Sequence, residues 1–200
     1  MEVSSVFKPM DKVIARQKTN AYGSPVFLWV GRLNANKDPL TVIKAFLKYA
    51  AINPAANLYM IYHTDELLTF MQQIIDTSPQ KNAITLVGKM PHSVLQYWFN
   101  SADIIVSGSY YEGSGTAVCE AMSCGCMPVV TDIFSFRMIT DNGRCGLLFE
   151  PGNEAELLSA LKQCDELDIM EKQETALEYF ESDLSFEAIA DKIEDIAQAL

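Results

Sequence analysis

The chain has 200 residues, 49% of them hydrophobic and 20% charged, with a formal net charge of −11. That size suits one large domain with a full core, or at most two small ones. The acidic balance argues against a nucleic-acid partner, because binding a polyanion rests on neutralising phosphates with Lys and Arg, and it argues equally against adhesion to anionic lipid.

Residues 1–25 are mixed, with Pro9 and Pro25, and read as a linker-like lead-in to one domain over 26–200. The opening "MEVSSVFKPMDKVIARQK" has no apolar h-region, so no secretory signal is expected. "VFLWVG", from Val26 to Gly31, is a short continuous apolar run ending at glycine, the pattern of a strand buried on both faces. After the loop "RLNANKDP", Asp38 is placed to cap a helix and Pro39 to sit in its first turn. That helix, "LTVIKAFLKYAAI", puts Leu40, Ile43, Phe46, Leu47 and Ala50 on one face. The alternation then repeats, with strands at "NLYMIY", "AITLVG", "ADIIVSG", "PVVT" and "GLLFE". Helices are expected between them at "DELLTFMQQII", "HSVLQYWFN", "TAVCEAMSCG" and "FSFRMIT". Pro151-Gly152 ends the last strand, and "NEAELLSALKQC", "IMEKQETALEYF" and "SFEAIADKIEDIAQAL" follow with helical period. Six strands alternating with helices predict an α/β fold: a doubly wound, Rossmann-like parallel sheet with helices on both faces and closing helices at the C-terminus.

No apolar run reaches the ~18 residues a membrane span needs, so no direct membrane insertion by this chain is expected. Of five cysteines, four lie between Cys119 and Cys145 in an apolar stretch, and Cys124-Gly125-Cys126 is too tight for the usual zinc spacing. Buried free thiols in a reducing cytosol are expected in preference to a metal site.

In a sheet of this kind ligands bind outside the carboxyl ends of the strands. The residues to weigh are therefore Gly31-Arg32, His63-Thr64, Gly88-Lys89 and Ser107 to Thr116. "EGSGT", at Glu112 to Thr116, lies between a strand and a helix. Glycines let a backbone approach a ligand closely, and a helix N-terminus offers unpaired N–H groups, so a phosphate fits there. A tight turn with a Thr cap would account for the same residues, and neither a P-loop nor a G-x-G-x-x-G fingerprint is present. Glu112 and Glu120 would be ~12 Å apart along one helix axis, but with the first in a loop that folds back both can face one crevice. There they could accept from sugar or ribose hydroxyls. One could instead serve the helix dipole and the other a solvated face, although Glu120 sits among small apolar residues where a carboxylate needs a partner. Arg32 and Lys37 stand where a ligand anion would lie, or are two solvated loop cations.

"FLWVGRLNANKDPLTVIKAF", "LVGKMPHSVLQYWFNSADIIVSGSYYEGSGTAVCEAMSCGCMPVVT" and "GLLFEPGNEAELLSAL", in that order, resemble the C-terminal, donor-binding domain of retaining glycosyltransferases of family 4, with the GT-B fold. The G-R-x4-K loop and the E-x7-E element carry the resemblance, and the tail looks like that family's closing helix. It implies a nucleotide diphosphate-sugar donor, with Gly31, Arg32 and Lys37 at its diphosphate and Glu112 beside its sugar. The backbone of Gly113, Ser114, Gly115 and Thr116 would receive phosphate or sugar oxygens, and Glu120 the ribose hydroxyls. Gly88, Lys89 and Met90 would border the nucleobase. Arg32, Lys37 and Glu112 are the residues to which catalysis is assigned. No metal and no cofactor is implied. The family's N-terminal acceptor domain would be a missing partner, the isolated domain would be inactive, and the setting would be cytoplasmic. Where the family often has a glycine-rich turn after the second strand, this chain reads "IYHTDELL", and His63 is assigned a local structural or capping role. The alternative is a non-catalytic nucleotide-sugar-binding or scaffolding domain of the same fold. Epimerisation or phosphorolysis on that fold is a more distant one.

Overall fold

In a computed structural model, which describes residues 4–199, the apolar runs are strands of one parallel sheet. They are β1 (Val26–Gly31), β2 (Asn57–Tyr62), β3 (Ile84–Gly88), β4 (Ile104–Ser107), β5 (Met127–Thr131) and β6 (Leu147–Phe149). Their order is β3-β2-β1-β4-β5-β6. The helices between them are α2 (Pro39–Ala50), α3 (Leu68–Asp76), α4 (His92–Ser101), α5 (Thr116–Met122) and α6 (Phe134–Ile139). After β6 come α7 (Glu154–Gln163), α8 (Ile169–Tyr179), a π-helical turn (Phe180–Leu184) and α9 (Phe186–Gln198).

The strands read as continuous apolar runs because each face meets its own core. Phe27, Trp29, Leu58, Met60, Ile104, Val106, Met127 and Val129 point into one apolar cluster, shared with α2, α3 and α7. Their neighbours Val26, Leu28, Tyr59, Ile61, Ile105 and Val130 point into a second, with α4, α5, α6 and α8. Side chains alternate across a strand, so burial on both faces removes the polar alternation. Asp38 caps α2 as expected: its carboxylate accepts from the Thr41 amide at 3.2 Å, and Pro39 opens the first turn.

The lead-in holds one element that its composition does not announce. Lys12–Thr19 form α1, capped by Asp11 and packed on α4. Lys12 and Arg16 reach Asp103 at 2.5 and 2.9 Å, and the Asp103 carboxylate also accepts from the Val26 amide at 2.7 Å. Only Ala15 of α1 is buried, so no apolar stripe marks the helix; charges supplied from far along the chain hold it. At the other end α9 buries only Ala188 and leaves Phe186, Ile193 and Ile196 exposed. No helix among the described residues is long and apolar enough to cross a membrane.

Candidate functional site

The strand order reverses between β1 and β4, and that switch point is where an open parallel sheet leaves a crevice. A cavity of about 380 Å³ opens there. Its walls include Gly31, Arg32 and Lys37 after β1, His63 after β2, Met90 after β3, and Glu112 to Val118 after β4. Four loops from across the sequence therefore converge on one cleft.

The β1–α2 loop is tied down on both flanks. Leu33 is fully buried beneath it, and the Leu33 amide donates to Thr64 Oγ1 at 2.7 Å. On the other flank the Tyr110 amide donates to the Asn36 carbonyl at 2.8 Å, and Asn36 Nδ2 donates to the Tyr111 carbonyl at 2.9 Å. This clasp sets Lys37 against Glu112. Lys37 Nζ is paired with Glu112 Oε1, which also accepts from Ser109 Oγ at 2.7 Å. The Glu112 side chain is 13% exposed, a burial at which a carboxylate needs such partners. Arg32 is exposed at the rim and forms no ion pair among the described residues. Tyr110, also exposed, faces Asp38, whose negative charge pushes the phenol pKa up.

The turn before α5 is shaped by glycine. Gly115 caps the helix with φ +63°, and a Cβ there would lie 2.9 Å from Ile139 Cδ1 and 3.0 Å from Phe136 Cε1. The cap is thus Gly115 and not Thr116, whose hydroxyl pairs with Ser114 Oγ at 3.0 Å. The first amides of a helix have no intrahelical acceptor, and Thr116 and Ala117, the first two residues of α5, line the cavity.

The two glutamates are not placed alike. Glu112 lines the cavity, whereas Glu120 does not; it is 8% exposed in α5, and its Oε1 lies 2.7 Å from His92 Nε2. It shares a helix face with Thr116, one turn earlier, which does line the cavity. Gly88 and Lys89 also stay outside the lining, and Met90 represents that loop. His63, assigned a local structural or capping role, instead lines the cleft, and it is the neighbouring Thr64 that makes the local contact, with the Leu33 amide. His92 and Asn36 were not legible as site residues: an imidazole beside a helix start and an amide in a polar loop carry no sequence signal. All five cysteines are buried thiols outside any disulfide, and burial pushes Cys119, Cys124 and Cys164 up to about 12. Burial thus disfavours the thiolate, the nucleophilic form, in these three.

A family model described as glycosyl transferases group 1 matches residues 11–179. The chain is similar to the D-inositol 3-phosphate glycosyltransferase of Arthrobacter sp. (strain FB24), 26% identical over 147 residues, covering 68% of this chain and 33% of that protein. It is also similar to the poly(glycerol-phosphate) alpha-glucosyltransferase of Bacillus subtilis (strain 168), 27% identical over 159 residues, covering 78% of this chain and 23% of that one. The chain thus spans 33% and 23% of the length of these two curated relatives. Among solved structures, the C-terminal domain of a glycosyl transferase group 1 family protein from Francisella tularensis matches with a TM-score of 0.82 at 19% identity, over 90% of this chain and 97% of that one. The Anabaena protein HepE, solved with UDP and glucose, matches with a TM-score of 0.80 at 19% identity, over 99% of this chain and 54% of that one. At such identities the likeness is one of fold.

Proposed function

The chain belongs to the glycosyl transferases group 1 family, and from that membership we propose that its cleft is the donor half of a retaining, hexosyl-transferring glycosyltransferase that uses a nucleotide diphosphate-sugar. The observation that carries this reading is the convergence of Arg32, Lys37, Glu112 and the Gly113-to-Thr116 turn on one cavity at the switch point. A diphosphate needs cations and backbone amides; a sugar needs a carboxylate that accepts from its hydroxyls. All are present in one wall. Arg32 and Lys37 meet the diphosphate, Gly31 and the turn let its oxygens approach the backbone, and Glu112 faces the donor sugar. Glu120 accepts from the ribose hydroxyls, and the Gly88-Lys89-Met90 segment borders the base.

In the transfer step the bond between the anomeric carbon and the β-phosphate oxygen breaks. The acceptor hydroxyl bonds to the same face of that carbon, and its proton passes to the departing phosphate oxygen. Negative charge grows on the leaving diphosphate, and Arg32, Lys37 and the first amides of α5 are the groups that stabilise it. Acceptor contacts come from a second domain, as the relatives' greater length supports. Without it the chain binds donor but does not hold an acceptor in attack geometry, and transfer is negligible. The buried thiols support a cytoplasmic setting.

Calorimetry with UDP, GDP, ADP and their sugar conjugates tests the reading. At least one should bind, and Arg32→Ala and Lys37→Ala should each weaken it by roughly 1–3 kcal/mol, the scale of charge-assisted hydrogen bonds. Unchanged affinity in both variants would remove the cleft from consideration. Nucleotide binding without transfer by the full-length protein would leave a non-catalytic binding domain.

A further inference from the structure

Glu120 lies in a helix of small apolar residues, between buried Cys119 and Ala121, and is itself 8% exposed. A carboxylate in such surroundings is costly without a donor. His92, the first residue of α4, supplies one: its Nε2 lies 2.7 Å from Glu120 Oε1. Among the described residues no hydrogen bond reaches the other oxygen, Oε2. One oxygen is held and the other is left to accept from a ligand. The imidazole is held in turn. Phe7, from the lead-in, is 6% exposed and stacks on it with ring centroids 4.9 Å apart and planes 30° apart. Phe7 is itself braced by Phe99 of α4, at 5.9 Å. The His92 side chain is 65% exposed, so burial does not explain its orientation; the ring contact and the carboxylate do.

We propose that His92 is a positioning residue for nucleotide recognition. It fixes the Glu120 carboxylate so that Oε2 meets the ribose hydroxyls, and Phe7 fixes His92, so that the lead-in segment governs the ribose subsite. The inference rests on the ribose role given to Glu120 above. Fixing a carboxylate before the ligand arrives removes the ordering cost from binding. His92 and Glu120 lie outside the lining themselves, but Met90, two residues before His92, and Thr116, one helical turn before Glu120, belong to it.

The test compares the best-binding of UDP, GDP and ADP with its 2′,3′-dideoxy counterpart, by calorimetry on this chain. Glu120→Gln should lower ribonucleotide affinity roughly tenfold, the scale of one charge-assisted hydrogen bond, and leave dideoxynucleotide affinity unchanged. His92→Ala should do the same, and the double variant should be no weaker than Glu120→Gln alone. His92→Gln, whose amide nitrogen can stand near the position of Nε2, should restore most of the loss. Phe7→Leu should give a smaller loss confined to the ribonucleotide. Dideoxynucleotide affinity doubles as the check on folding. If Glu120→Gln is selective and His92→Ala is silent, the ribose role stands and the positioning role is overturned. A loss in His92→Ala that is equal for both nucleotides reduces His92 to a structural residue. Silence of Phe7→Leu removes the lead-in from the proposal. Equal affinities in Glu120→Gln and the parent chain for the ribonucleotide overturn the ribose role and the inference together.

Discussion

Glu112 balances its charge with Lys37 and with the Ser109 hydroxyl, within the wall proposed above to receive a diphosphate. Lys37 therefore stands between two anions once a nucleotide binds, and its ammonium can turn toward either. Removing the charge of Glu112 ends that competition. Glu112→Gln is expected to keep nucleoside diphosphate affinity or tighten it by up to about tenfold, and to impair transfer in the full-length protein. Calorimetry showing a clear loss of affinity would contradict the pairing's functional reading. Lys37→Ala has a second effect, because it strips a largely buried carboxylate of its cation; a stability loss of about 1–3 kcal/mol should appear in urea titrations. That Arg32, Lys37 and Glu112 belong to one cleft was legible from their places after strands, since topology assigns every strand end in a parallel sheet to the same edge. Which of them touch was not. The Lys37–Glu112 pair spans 75 residues and the His92–Glu120 pair 28, and such distances carry no periodic signature.

At the level of elements, α5 shows how a seam between strand and helix serves both core and cleft. Its first turn faces the cavity, while Val118, Cys119, Ala121 and Met122 are buried. Cys119, Cys124 and Cys164 keep their protons to about 12, against an ordinary value of 9.0, because burial disfavours the thiolate. Below pH 9 both folded and unfolded chains hold these protons, so this source leaves stability independent of pH. Between 9 and about 12 the unfolded chain releases protons that the folded one retains, and stability falls by up to about 1.4 kcal/mol per thiol and pH unit. Urea midpoints should accordingly drop between pH 9 and 11 while staying level from 7 to 8.5, and a thiol reagent should modify the native chain only as fast as it opens. The strands were legible because burial on both faces leaves uninterrupted apolar runs. Helix α1 was not, because it offers the core a single alanine and owes its place to Asp103.

For the whole molecule, Asp103 joins the lead-in to the sheet: it accepts from Lys12, Arg16 and the first amide of β1. Asp103→Ala should undock α1 and lower stability by about 1–3 kcal/mol, and exchange at the α1 amides should rise to the rate of an isolated helix, which at that length is marginal. Protection of those amides in the variant would show that packing on α4 suffices. The strand order has a further consequence, in the domain of time. Joining the β1–α2 loop to the β4–α5 loop closes a segment of 75 residues, and β1 must find β4 across the intervening β2 and β3 units. Contacts so far apart in the chain form late in folding, after their closure entropy has been met. A nascent layer of β1, β2 and β3 carries Arg32 and Lys37 but has neither Glu112 nor the Gly115 turn beside them, and so offers only half of the proposed diphosphate site. Nucleotide would then leave the refolding rate as it is and slow unfolding, acting on the lifetime of the finished fold and not on its assembly.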